Sequence, residues 1–271
     1  MSDRVVLVGC GNMGFAMLKG WLDSGALEPQ AIHVVEPAAM LRQRAGELGV
    51  HTVAEAGELS ADLNPRMVLI AVKPQAMAQV LPAYTRFAGD VTFVSVAAGI
   101  PVALFEKHLG DKAAIMRVMP NTPAAIGKGM LVVYRNAHVT DANAVFINGL
   151  LKTSGEVASI ADESLMDAVT AISGSGPAYV FHFIECLTDA GVTVGLDRDL
   201  AALLAMQTVY GAGALAAQSH ESPTKLREQV TSPNGTTAAA LDVLMSEDRL
   251  EDLITKAVEA AKKRSVELGK A

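Results

Sequence analysis

Apolar residues follow two different rhythms along this chain. In the first part, short apolar runs alternate with stretches of helical spacing. Runs at residues 4–9, 31–35 and 66–72 predict three clear strands. The last of these is nearly all apolar, as a strand is when both faces of its sheet are covered. Runs at 91–97, 113–118, 130–134 and 156–160 continue the series, and helical spacing fills 13–24, 38–48 and 141–152. Strands alternating with helices predict an α/β fold built on a doubly wound sheet.

The rhythm changes near Ala161. Beyond it residues 163–172, 178–194, 197–218, 222–230, 236–245 and 247–268 all read as helices. Many of their faces carry Ala or Gly, which lets helices approach closely. A domain boundary is expected near Asp162, dividing the chain into residues 1–162 and 163–271. Residues 200–217 carry no charge and come close to bilayer-spanning length. Gln207, Thr208 and Tyr210 interrupt them, however, and Asp197, Arg198 and Asp199 stand directly before them. The expected role is a helix buried on most sides, in a subunit interface.

Composition narrows the partners. Of 271 residues 51% are hydrophobic but only 4% are aromatic, so the core is aliphatic. The net charge is -7, with no run of like charges and no basic face of the kind that nucleic acid requires. Cys10 and Cys186 are far apart and lack metal-ligand spacing, so neither a disulfide framework nor a metal site is expected. The first residues include Asp3 and Arg4 and pass straight into a strand pattern, unlike a signal peptide. A cytoplasmic location is the expectation.

The first strand, through Val8, runs into Gly9-Cys10-Gly11-Asn12-Met13-Gly14 at the start of a helix. Gly9 permits a tight turn, Gly11 lets backbone approach a pyrophosphate, and Gly14 lets helix and strand pack closely. The helix N-terminus then offers free N–H groups to phosphates. Strand before and helix after are the context that gives this motif its meaning, a Rossmann-type dinucleotide site. Cys10 reads as a space-filling residue of the loop. Glu36 ends the second strand, 22 residues after Gly14. A carboxylate there hydrogen-bonds the adenosine ribose of NAD and repels the extra phosphate of NADP. The bland alternative is a helix-capping carboxylate before Pro37, and Arg42 and Arg44 could offset its charge.

Other special loops follow strands or start helices. Ala71-Val72-Lys73-Pro74 and Ala97-Ala98-Gly99 end strands, where an open α/β sheet binds its ligand. Met119-Pro120-Asn121-Thr122-Pro123 makes a stiff turn, a wall beside the nicotinamide or a plain rigid loop. Ser173-Gly174-Ser175-Gly176-Pro177 breaks one helix and starts another. Thr231-Ser232-Pro233-Asn234-Gly235-Thr236-Thr237 is a turn leading into a helix N-terminus, which can bind a carboxylate or serve as an ordinary capped start.

Taken in order, these motifs resemble the Δ1-pyrroline-5-carboxylate reductase family over nearly the whole chain. The glycine loop is generic; the last two motifs are specific. The resemblance implies a Rossmann domain followed by an all-helical dimerisation domain, with two interlocked subunits and an active site that draws on both. It implies reduction of the cyclic C=N bond of Δ1-pyrroline-5-carboxylate to L-proline by NADP or NAD in reduced form, the final step of proline biosynthesis. The dinucleotide is then expected on Val8, Gly9, Cys10, Gly11, Asn12, Met13, Glu36, Ala71, Val72, Lys73, Pro74, Ala97, Ala98 and Asn121. The imino acid is expected on Ser175, Ser232, Gly235, Thr236 and Thr237, with the Thr237 hydroxyl at the ring nitrogen. Two departures bear on the cofactor and the turn. Asn234-Gly235 stands where the family often has Gly-Gly, and Asn tolerates a left-handed backbone. Glu36 and Ala54-Glu55-Ala56 depart from NADP-using relatives, which favours NADH.

The chemistry needs little from the protein beyond orientation and electrostatics, because the cofactor supplies hydride and protonation activates the imine. The six histidines are scattered, and His182 on an apolar helix reads as a core residue. Two other readings remain. A β-hydroxyacid dehydrogenase or another imine reductase would use a helical-domain lysine, for which Lys225 is the candidate. A non-catalytic dinucleotide-binding regulator would bind without turnover.

Overall fold

The computed structural model describes residues 4–89 and 91–269. Contacts divide the chain into two units, Met1–Ser175 with Ala261–Ala271, and Gly176–Ala260.

The first unit carries an eight-stranded sheet. Its strands are β1 Val5–Val8, β2 Ile32–Val35, β3 His51–Val53, β4 Met67–Ile70, β5 Thr92–Ser95, β6 Ala114–Met119, β7 Gly129–Arg135 and β8 Gly155–Ser159. They lie in the order β3-β2-β1-β4-β5-β6-β7-β8. All neighbours are parallel except β6 and β7. The helices are α1 Asn12–Asp23, α2 Ala39–Gly46, α3 Met77–Val80, α4 Val102–Leu109, α5 Asp141–Lys152 and α6 Met166–Val169.

The alternation of a strand explains the layers. Val5 and Leu7 join Trp21 and Ile147 in one buried cluster, whereas Val6 and Val8 join Phe93 and Phe105 in the other. Every residue of β1 and β4 is buried, as parallel strands covered on both faces must be. The strand order reverses between β1 and β4, so the crevice beyond their C-terminal ends is the ligand position of such a sheet. The expected doubly wound sheet is therefore present. Two of its elements were not expected. β3 has three residues, two of them His51 and Thr52, too short and polar for an apolar run. α4 follows a Pro101 N-cap directly and has only eight residues.

The region 163–172, expected as one helix, is a 3-10 turn Glu163–Leu165, then α6, then a π-helical turn Thr170–Gly174. The second unit holds α7 Gly176–Thr193, α8 Arg198–Gln218, α9 Pro223–Gln229, α10 Thr236–Met245 and most of α11, Arg249–Leu268, whose end from Ala261 belongs to the first unit. Asp197 caps α8 by accepting from the Leu200 N–H at 3.0 Å, and Ser222 caps α9 with Pro223 at its first position. Glu247 and Asp248 take left-handed φ values of 56° and 53°, which separates α10 from α11.

α8 is long and apolar enough to cross a membrane by length and composition. Its only buried residues are Ala201 and Ala205, while Leu203 is 65% and Tyr210 68% exposed. A helix buried on most sides is thus not what one chain provides. His182 departs from expectation too. It lies exposed on α7, with Nδ1 2.9 Å from Glu185 Oε2 and Nε2 3.6 Å from Cys186 Sγ. Phe181 and Phe183 beside it are also exposed, so an apolar sequence pattern here marks an uncovered face.

Candidate active site

The glycine loop turns between β1 and α1 with the geometry its residues require. Gly9 sits at φ 86°, and a Cβ there would lie 2.8 Å from the Ala71 carbonyl oxygen. Gly14 could carry no Cβ without striking the Gly9 carbonyl. Gly11 is different: a Cβ there would meet no atom within 4 Å. The protein itself does not demand that glycine, so the open space suits a ligand's close approach. Gly11 also caps α1 without any side-chain hydrogen bond, and no acidic residue lies in the first turn. The first N–H groups of α1 therefore face the loop with their partial positive charge, which fits a pyrophosphate.

Glu36 is buried, 6% exposed, and both its oxygens are engaged. Oε2 accepts from the Cys10 N–H at 2.7 Å and Oε1 from the Ala38 N–H at 2.9 Å. The carboxylate thus braces the glycine loop and also serves the chain entering α2; it is not a solvated cap. The neighbouring arginines are committed to backbone. Arg42 Nη1 donates to the carbonyls of Glu36 at 2.8 Å and Pro37 at 2.9 Å. Arg44 Nη2 donates to the Cys10 carbonyl at 3.0 Å, and its guanidinium lies over the Phe15 ring. Burial, reinforced by Glu36 and opposed by Arg44, pushes the Cys10 thiol up to about 11. A thiol raised in this way is a poor nucleophile at neutral pH.

The remaining loops of the first unit collect around the same sheet end. The Ala71 N–H donates to the Val8 carbonyl at 2.7 Å, which holds β4's exit against the loop. Val72 borders Gly9, and Lys73 caps the 3-10 turn Pro74–Ala76 with Pro74 at its start. Ala97 donates its N–H to Ser95 Oγ at 3.3 Å, and Gly99 turns at φ 75°. Both ends of the Asn121 amide bond within the fold. Its Oδ1 accepts from the Met130 N–H at 2.9 Å, and its Nδ2 donates to the Ser173 carbonyl at 3.2 Å. The side chain ties the end of β6 to β7 and to the 173–176 turn. A Cβ on Gly174 would meet the terminal methyl of Met119, a flexible side chain that can turn aside. The Ser175 N–H closes the π turn on the Thr170 carbonyl at 2.9 Å.

In the second unit the 231–237 turn leads into α10 as an open helix start. Asn234 takes φ 55°, the left-handed conformation that the glycine of a Gly-Gly pair would otherwise supply. Gly235 has ordinary φ -84° and donates to the Ser232 carbonyl at 3.0 Å; a Cβ on it would crowd that oxygen at 3.1 Å. It caps α10 with no side-chain hydrogen bond and no acidic residue stands in the first turn, so among the described residues the N–H groups of Thr236 and Thr237 begin a helix without a side-chain cap. Thr237 is half-buried one position along.

A glycine loop at the switch point of a doubly wound sheet, followed by a helical unit whose α10 starts without a side-chain cap, is the arrangement of a dinucleotide-dependent oxidoreductase. Its family is shown by comparison. Residues 163–268 match the model of pyrroline-5-carboxylate reductase dimerisation, and residues 4–99 that of NADP oxidoreductase coenzyme F420-dependent. Pyrroline-5-carboxylate reductase of Pseudomonas aeruginosa is 40% identical over 98% of this chain and 97% of its own length. That of Synechocystis is 37% identical over the full length of both. The crystallised enzyme from Coxiella burnetii superimposes with a TM-score of 0.93 at 32% identity, covering all of both chains. The Plasmodium falciparum enzyme with NADP bound gives 0.85 at 29% identity over 99% of each. The chain belongs to the pyrroline-5-carboxylate reductase family.

Proposed function

We propose that this chain reduces Δ1-pyrroline-5-carboxylate to L-proline with a reduced nicotinamide dinucleotide, the last step of proline biosynthesis. The observation that carries this reading is full-length similarity to reductases of that name. The special loops follow the order of the family motifs. The dinucleotide supplies a hydride to the imine carbon, and the chain's residues hold and orient the partners.

In the first unit, the α1 N-terminus with Gly9, Cys10, Gly11, Asn12 and Met13 takes the pyrophosphate. Val8, Ala71, Val72, Lys73, Pro74, Ala97, Ala98 and the Asn121 backbone line the path of the cofactor. In the second unit, the N–H groups of Gly235, Thr236 and Thr237 at the α10 start hold the substrate carboxylate, with Ser232 assisting; Ser175, at the end of the first unit, is the other residue assigned to the substrate. The Thr237 hydroxyl meets the ring nitrogen and fixes which carbon faces the hydride. No ionisable group is needed to activate an imine that is already protonated, and Lys225 is spent on an exposed pair with Glu228.

NADH is the preferred donor in this reading. A fixed, buried carboxylate at Glu36 repels a ribose phosphate, and Arg42 and Arg44, both tied to carbonyls, are not free to clamp one. We assign residues 1–162 to dinucleotide binding and 163–271 to substrate and subunit contact, supported by where the dimerisation match begins. The uncovered apolar faces of α7, α8 and α10 support a homodimer, alone or as the unit of a ring, acting in the cytoplasm without membrane or nucleic acid.

The test is turnover by purified protein, with NADH and NADPH offered separately. Rapid oxidation with Δ1-pyrroline-5-carboxylate, and none driven by a 3-hydroxy acid in reverse, is expected. Cofactor binding without turnover on the imine would remove the reading.

A further inference from the structure

The loop between β5 and α4, residues 96–101, carries Ala97 and Ala98, which the proposed function places at the nicotinamide end of the cofactor. It is gripped from two sides by groups that no step above uses. At its far end the first N–H of α4, on Val102, donates to Glu163 Oε1 at 2.7 Å. The same oxygen accepts from Arg117 Nη1 at 2.6 Å, and Arg117 is buried in β6.

At its near end the loop meets the last turn of the chain's last helix. Gly99 and Gly269 are clearance for each other. A Cβ on Gly269 would stand 2.6 Å from the Gly99 carbonyl oxygen, and one on Gly99 would stand 3.3 Å from the Gly269 nitrogen. This helix end is itself anchored. Ser265, 4% exposed, donates from Oγ to Asp167 Oδ1 at 2.6 Å, and the Gly269 N–H closes on the Ser265 carbonyl at 3.2 Å.

Glu163 and Asp167 lie one helical turn apart in the same short segment. That segment therefore holds both ends of the loop, one directly and one through the C-terminal helix. We propose that residues 261–269 form a latch, fastened by Ser265–Asp167 and seated by Gly269 on Gly99, that positions the nicotinamide loop for hydride transfer. Asp167, Ser265 and Gly269 are positioning residues. The proposal rests on the cofactor placement above. Loosening the latch shifts the reacting end of the dinucleotide while the pyrophosphate keeps its grip on the glycine loop.

The test compares Gly269→Ala, Asp167→Ala and Asp167→Asn with the wild type in the full-length protein. Gly269→Ala and Asp167→Ala are expected to lower kcat roughly tenfold. They leave the Kd for NADH within about twofold, since the pyrophosphate contacts are untouched. The deuterium isotope effect from NADH labelled on the nicotinamide ring rises, because hydride transfer becomes slower than release. Asp167→Asn still accepts from Ser265 and retains near wild-type kcat. Gly269→Ala leaves the Ser265–Asp167 hydrogen bond in place, so its variant reads the latch even if Asp167→Ala fails to fold. Wild-type kcat and isotope effect in Gly269→Ala, with dinucleotide binding lost in Gly9→Ala, would overturn the latch and keep the cofactor site. Unchanged binding in Gly9→Ala would take down both.

Discussion

The two units of this chain spend similar apolar sequences in opposite ways. In the sheet unit, β1, β4 and β5 are buried at every position, and the largest side chains, Trp21, Tyr84, Phe93 and Phe105, are sealed within the same chain. In the helical unit α8 buries two alanines, α10 buries nothing, and Phe181, Leu203 and Tyr210 stand in the open. Large apolar side chains exposed in such number are what a subunit interface carries, in keeping with the match of residues 163–268 to the dimerisation model. The sheet unit buries its apolar side chains within the chain, and the helical unit leaves many of its own exposed.

Charge placed on the open face tests that contrast hardest. Leu203→Glu with Leu204→Glu should convert an oligomer to monomers, because each interface would bury unpaired charges. Light scattering after size exclusion reads the mass, and an unchanged oligomer would mean that α8 faces something else. Thr237→Ala, in the same unit, should lower kcat by about 10²-fold with the assembly intact. Unchanged turnover would remove Thr237 from the mechanism.

The sheet unit should respond in stability as well as binding. Gly9→Ala forces a Cβ into a left-handed turn against the Ala71 carbonyl and should cost about 2 kcal/mol, read by denaturant unfolding, together with loss of dinucleotide binding. Glu36→Gln removes the charge and should move the NADPH to NADH ratio of kcat/KM by about tenfold toward NADPH. A ratio that stays put would make Glu36 only a brace for Cys10.

The smallest effect concerns pH. His33 and His51 stack across β2 and β3 with ring centroids 4.7 Å apart. Burial first, then the charges of His51 and Arg4, lower the His33 pKa below 6.5. The folded state then binds fewer protons than the unfolded one. This contribution is intact above about pH 6.5 and is lost as pH falls through the folded value. His51→Gln should flatten the fall in melting temperature on acidification, whereas an unchanged slope would exonerate the pair.

Much of this was legible beforehand, for physical reasons. Buried parallel strands announce themselves as unbroken apolar runs, and the glycine loop and the 231–237 turn carry residues that few other structures need. Asn234 was expected to tolerate a left-handed turn and does so. β3 escaped notice because His51 and Thr52 break its pattern. The exposure of His182 was missed because periodicity identifies an apolar face without saying which chain covers it. The engagement of Glu36 with Cys10, of Asn121 with Ser173, and of Ser265 with Asp167 was invisible because the partners are 26, 52 and 98 residues apart. Such pairings are made by tertiary structure alone.

The proposed reaction is transfer of a hydride from the dinucleotide to the ring carbon of a cyclic imino acid. Incubating the protein with Δ1-pyrroline-5-carboxylate and NADH deuterated at the hydride-donating carbon, then analysing the proline by mass spectrometry and NMR, tests it most directly. L-proline carrying deuterium on the ring carbon adjacent to nitrogen and remote from the carboxylate is expected. Proline without label, or no proline from folded protein that binds NADH, would contradict it.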